Sequence, residues 1–153
     1  MLIRVTILIL MLLAPWTGFA QQKTNACSIN LVSPQNGDRV SSEANATGSA
    51  KDLPPGTHVW IFAHRQGLAL WWPQGGGAAQ IRDGRWTVFV TYGQPRDMGS
   101  DFEVTAAVLG DRASAELDNW MTRAEHTGQY PGIPLPASVQ GCLIGTVTVT
   151  RDR

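Results

Sequence analysis

Thr57-His58-Val59-Trp60-Ile61-Phe62-Ala63-His64 reads with a period of two. On an extended strand, Val59, Ile61 and Ala63 share one face, while His58, Trp60, Phe62 and His64 share the other. Both faces are largely apolar, which predicts a central strand covered on each side. Downstream, Arg65-Gln66-Gly67 turns the chain, Leu68 to Trp72 is a second apolar stretch ending at Pro73, and Gly75-Gly76-Gly77 is a loop. Ala79–Arg82 and Arg85–Tyr92 flank Asp83-Gly84, the dipeptide that predicts a tight hairpin. Trp86, Val88 and Val90 align on one side of the second arm, and Phe102, Val104, Ala106 and Val108 align on a further strand.

Upstream, Cys27 to Ser33 predicts a first strand at a sheet edge, because Pro34 cannot join a central ladder. Asn36-Gly37 marks a turn, and Arg39 to Ala50 predicts one modest second strand. After the central region the period changes. Leu117, Trp120, Met121 and Ala124 follow helical spacing, with Asp111 or Ser114 as candidate caps and Gly128 as the stop. Gln129 to Pro136 is an extended run with three prolines, and Gly141 to Thr150 predicts one closing strand. About seven short strands separated by turn signals predict an antiparallel β-sandwich with one short helix before the last strand.

Residues 1–20 carry Arg4, an apolar run from Val5 to Ala14, and Gly18-Phe19-Ala20, the pattern of a secretory signal peptide cut after Ala20. The apolar run is too short to span a bilayer, which needs about 20 apolar residues. Residues 21–153 then form a single domain in the periplasm or outside the cell, with no membrane span after cleavage. Without Arg4 the domain has 11 basic and 12 acidic residues, a net charge of −1. A near-neutral chain with no basic run carries no electrostatic footprint for nucleic acid. Cys27 and Cys142 are the only cysteines, and an isolated pair in an exported protein predicts one structural disulfide. Cys-x-x-Cys spacing is absent. The three histidines form no ligand cluster, so neither metal nor cofactor is expected.

Val59-Trp60-Ile61, Trp71-Trp72-Pro73-Gln74, Asp83-Gly84-Arg85-Trp86 and Phe102-Glu103-Val104 together resemble the immunoglobulin-like or fibronectin-like accessory modules of bacterial exported proteins. The resemblance spans Val59 to Val108, about half of the mature chain. It implies a β-sandwich used for binding or spacing, and it transfers no catalytic residue.

Candidate chemistry centres on Trp71-Trp72-Pro73-Gln74 and its glycines. Adjacent strand residues point to opposite faces, so one indole can fill the core while the other offers a flat apolar plate with a polar N–H. Gln74, Arg65 and His64 can supply hydrogen bonds beside it. Packing of both indoles in the sandwich or its rim is the plainer alternative, and Trp60 and Trp86 read as core. Asp97, Asp101 and Glu103 form the only compact acidic group. Asp101 and Glu103 are spaced acceptably for a carboxylate pair, though solvated turn charges explain them as well. No nucleophile elbow or phosphate loop is present. The expected function is non-catalytic binding of an envelope protein or glycan by a monomer. The alternatives are a small envelope hydrolase using Asp101 and Glu103, and an inhibitor of an exported enzyme that inserts the Trp71–Gly77 loop. The helix and the proline run are the second candidate binding surface, where Tyr130, Ile133 and Leu135 form an apolar strip, read either as part of that surface or as cover for a sheet edge.

Overall fold

The computed structural model describes residues 27–152; the predicted leader lies outside them. The chain is mainly β, with nine strands, one α-helix and one short 3-10 turn at Pro95–Asp97 among the described residues. One sheet has the order β6-β3-β1-β8 and the other β2-β9-β7-β4-β5. The strands are β1 (Cys27–Ser33), β2 (Arg39–Val40), β3 (Glu43–Lys51), β4 (Thr57–Arg65), β5 (Trp72–Pro73), β6 (Arg85–Thr91), β7 (Asp101–Gly110), β8 (Cys142–Ile144) and β9 (Thr146–Arg151). The helix α1 (Asp111–Thr127) connects β7 to the C-terminal strands. Two sheets enclosing a common apolar interior fit a β-sandwich.

β4 is central, as its two apolar faces predict. It pairs with β7 over nine registered positions and with β5 on its other side. Val59, Ile61 and Ala63 join Ile29, Val88, Val90, Val104 and Val108 in the core between the sheets. Trp60 and Phe62 turn the other way, into a second core with Ala107, Leu109 and the helix residues Leu117, Trp120, Met121 and Ala124. The molecule is therefore three layers deep at β4: sheet, sheet, helix. Alternation along one strand produces this, because each successive Cβ crosses the sheet plane.

Several expectations are corrected. β1 is not an edge strand; it lies between β3 and β8. Pro34 follows the end of the strand, beyond a register shift at Leu31/Ser33, so its missing N–H costs the ladder nothing. The predicted strand from Arg39 to Ala50 is two strands in different sheets. Val40 pairs with Arg151, whereas β3 pairs with β1 and β6. Ser41 Oγ donates to the Glu43 carbonyl at this corner, a local bond that competes with a continuous ladder. The predicted closing strand divides in the same way at Gly145 into β8 and β9. These switches make two pairings parallel, β1 with β8 and β2 with β9, so the sandwich is not wholly antiparallel.

The Asp83-Gly84 hairpin is present only as its turn. Both residues have positive φ, and Arg82 and Arg85 exchange backbone hydrogen bonds, as a two-residue primed turn requires. The Ala79–Arg82 arm then leaves β6 and runs toward β4, where the Ala79 N–H donates to the Val59 carbonyl. β6 pairs with β3 instead. The helix is longer than expected at 17 residues, and neither candidate side chain caps it. Its N-cap is Gly110; Ser114 lies buried one turn in, accepting from Trp60 Nε1–H at 2.9 Å. Gly128 ends the helix in the left-handed conformation glycine favours, as the sequence predicts.

Cys27 and Cys142 form the expected disulfide, at facing positions of β1 and β8. It closes a separation of 115 residues and joins the first described strand to the C-terminal segment. No helix among the described residues is long and apolar enough to cross a membrane.

Candidate functional site

The C-terminal end of β4 delivers His64 and Arg65 to one corner of the molecule, and the turn after them returns the chain as Leu68 to Gln74 alongside β4. A groove of about 1020 Å³ opens there. One wall is helical, formed by Trp120, Met121 and Glu125 with Tyr130 just beyond the helix. The other is built from the turn at Gln94 to Asp97 together with Phe89, Thr91 and Phe102. Leu68, Trp72, Gln74, Gly75 and Gly76 lie between them.

The structure gathers the five predicted ligand residues into this one corner, and four of them, His64, Arg65, Trp72 and Gln74, line the groove. His64 is only 6% exposed, and its Nε2–H donates to Glu103 Oε2 at 2.7 Å. Its ring stacks on Trp71 with centroids 3.7 Å apart and planes 14° from parallel. Trp71 is half-buried behind it, and its backbone exchanges hydrogen bonds with Ile133. The Trp71 face toward His64 is therefore occupied. Trp72 is also half-buried, and its indole N–H donates to the Tyr130 carbonyl at 2.8 Å. Neither indole is the freely exposed plate the alternation argument describes. Each is fixed by a partner distant in the chain.

Gln74 is buried at 8% exposure and acts as a clamp. Its Nε2 donates to the Trp72 carbonyl, and its Oε1 accepts from the Thr91 N–H, each at 2.9 Å. It thus ties the loop after β5 to the edge of β6. Arg65 reaches Asp97 at 3.2 Å, and Asp97 also accepts from the Gln94 N–H at 2.8 Å. Asp97 is nearly buried, held by a cation and a backbone donor rather than lying as a solvated turn charge.

The carboxylate pair is separately committed. Asp101 accepts from Thr150 Oγ1 at 2.7 Å, Glu103 is bonded to His64, and neither lines the groove. Among the described residues no cluster of three or more histidine, cysteine or acidic side chains is placed to hold a metal. His58 lies at the opposite end of β4, bonded to Asp111 at 2.8 Å. Ile133 meets the chain beside β5, so at that residue the proline run covers a sheet edge.

Sequence reasoning offered the helix and the proline run only as a second surface apart from the Trp71–Gln74 site, and it missed the part of the Gln94–Asp97 turn in the groove. Trp120, Met121 and Glu125 are visible only as part of an amphipathic helix, whose docking position is not written in its own periodicity. Two buried polar atoms of groove-lining residues, His64 Nδ1 and Trp120 Nε1, have no hydrogen-bond partner among the described residues. A buried donor or acceptor left unpaired is costly, and the groove has two such groups beneath its surface.

The two sheet edges beside the groove differ. At β5, Pro73 has no N–H to offer and Trp71 is already paired with Ile133. At β6, the N–H groups of Arg85 and Thr91 point away from β3, since they donate to the Arg82 carbonyl and to Gln74. The strand period puts the N–H and C=O of Thr87 and Phe89 on that same outer edge, where nothing described pairs with them. Compared with known proteins, the chain matches no protein-family model and has no significant match among curated proteins.

Proposed function

We propose that the protein is an exported, non-catalytic binding module of the cell envelope, an immunoglobulin-like sandwich acting as a monomer, and that it takes its ligand in the groove between α1 and the Gln94–Asp97 turn. The carrying observation is the convergence of His64, Arg65, Trp72 and Gln74 on one mostly apolar concavity with a few fixed polar groups. A cleft of that composition is the usual form of a binding site. The disulfide and the leader-like N-terminus support export, because disulfides persist in oxidising compartments. The Val59–Val108 resemblance supports the immunoglobulin-like assignment and a binding role. A hydrolase is the weaker reading, since Asp101 and Glu103 face other partners and lie outside the groove.

Intrinsic tryptophan fluorescence tests the proposal, because Trp72 and Trp120 border the groove. Titration with envelope glycans and with peptides is expected to find a ligand class that shifts the emission. Leu68→Glu, a change at a 39% exposed position of the groove, is expected to abolish the shift without altering the far-UV spectrum. Binding that survives Leu68→Glu unchanged places the site elsewhere.

A further inference from the structure

Resting on the binding role just proposed, we infer that the occupant of the groove is an extended peptide segment of a partner protein, added as a strand beside β6 at Phe89, with an acidic group at Arg96. Three observations separate this from a glycan. First, neither residue of the Trp71-Trp72 pair offers an open face and a free N–H together in the groove: a Trp71 face is stacked by His64, and the Trp72 N–H is spent on the Tyr130 carbonyl. Sugar recognition needs an open aromatic face together with donors aimed at hydroxyls. Here Leu68, Met121 and Phe89 instead offer apolar surface suited to side chains.

Second, the groove reaches, at Phe89, the stretch of the outer β6 edge that has no backbone partner among the described residues. Arg85 and Thr91 close the two ends of that edge, leaving the N–H and C=O of Thr87 and Phe89 facing outward between them. An added strand satisfies such groups directly, and its alternate side chains enter the adjoining pockets. Gly75 packs closely against Val88, and only at Gly76 beyond it is there open space where a side chain would stand, so the incoming strand has room at Gly76 rather than at Gly75.

Third, the charges are complementary to a carboxylate at one end. Arg96 lines the groove with no hydrogen-bond or ion-pair partner among the described residues, and Arg65 stands beside it through the Arg65–Asp97 pair. A guanidinium recognises a carboxylate through paired N–H donors. The partner residue is therefore an aspartate, a glutamate or a free C-terminus.

The experiment selects a random heptapeptide display library on the full, oxidised protein and titrates the recovered peptides by tryptophan fluorescence. Peptides combining apolar residues with one acidic group are expected. Arg96→Glu should weaken them at least tenfold, and replacing the acidic residue of the peptide by lysine should restore binding to that variant. Methylating peptide backbone nitrogens one at a time should cost at least tenfold at alternate positions only, the signature of a strand pairing through every second residue. Failure to recover any groove-dependent peptide, or tolerance of methylation at every position, overturns the inference. If a neutral oligosaccharide binds instead and Leu68→Glu abolishes that binding, the groove remains the site and only the peptide is wrong. If neither class depends on the groove, the binding role falls with it.

Discussion

The two faces of β4 are built from one alternating sequence, yet they become different environments. On the face toward the second sheet, Val59, Ile61 and Ala63 join a core of apolar side chains, into which Trp86 and Tyr92 each bring one buried polar atom. On the face toward α1, Trp60 hydrogen-bonds to Ser114, His64 bonds to Glu103 and stacks on Trp71, and Trp120 leaves its N–H unpaired. The first face is a predominantly apolar interior, with no side-chain hydrogen bond from the β4 residues, that specifies how the sheets pack. The second contains polar groups that must be placed in fixed geometry, and it runs out into the groove. Low polarity suits packing, whereas buried polar groups are tolerated only with partners and tend to mark where a structure does more than fold.

Truncation on each face should separate them most strongly. Trp60→Ala removes a fully buried indole and is expected to cost about 3–5 kcal/mol, with Ile61→Ala about 2–5 kcal/mol on the apolar face. The contrast lies in local opening. Trp60→Ala should lower hydrogen-exchange protection in α1 well beyond the global loss, while Ile61→Ala should lower protection evenly. Equal profiles would mean that the helix and the sandwich are one cooperative unit.

Removing the disulfide with Cys27→Ala and Cys142→Ala should cost about 2–5 kcal/mol in denaturant unfolding, because a 115-residue separation is released. The effect should be confined to stability, since the bridge joins β1 to β8 and its cysteines do not line the groove. Loss of ligand binding in the folded double variant would contradict that separation.

Polar deletions sharpen the comparison on the helix side. Ser114→Ala leaves the buried Trp60 N–H unpaired, with an expected cost of about 1–3 kcal/mol by thermal unfolding. Glu103→Leu removes the partner of His64 and should cost a similar amount, while also weakening binding because the His64–Trp71 stack loses its anchor. By contrast, His58→Gln breaks a pair that is largely solvent-exposed and should change stability by at most about 1 kcal/mol.

Tyr92 belongs to the interior between the sheets, and its hydroxyl is buried without a hydrogen-bond partner among the described residues. Burial pushes its pKa from 10.0 up to about 12. The unfolded chain therefore loses this proton first as pH rises. The stability linked to Tyr92 is intact below about pH 10 and falls progressively between 10 and 12. Tyr92→Phe should flatten the alkaline limb of a stability-versus-pH curve over that window. An unchanged curve would assign the alkaline loss to other groups.

Much of the β architecture was legible because alternation is a local signal. The β4 faces, the strand from Phe102 and the Gly128 stop could each be read from a few neighbouring residues. The misread segments share one cause. Arg39–Ala50 and Gly141–Thr150 look continuous, but each changes sheets at a corner, and the sheet a strand joins depends on distant partners. The Asp83-Gly84 turn was local and correctly placed, whereas the partner of β6 was not local and proved to be β3. For the site, Trp71, Trp72, Gln74, His64 and Arg65 stood out as residues of one short span. Their bonds run to Glu103, Asp97, Tyr130 and Thr91, residues that no spacing rule connects to them.

By itself the chain determined which side chains face which side of each strand, where the helix stops, and which two sulfurs must meet, because these follow from backbone period, glycine conformation and the presence of one cysteine pair. Only the tertiary structure decided that α1 lies over Trp60 and Phe62, that β6 keeps an unpaired edge, and that a groove opens between them. Layer packing and edge closure are set by contacts between segments far apart in sequence, and no local pattern encodes which of the available apolar faces will meet.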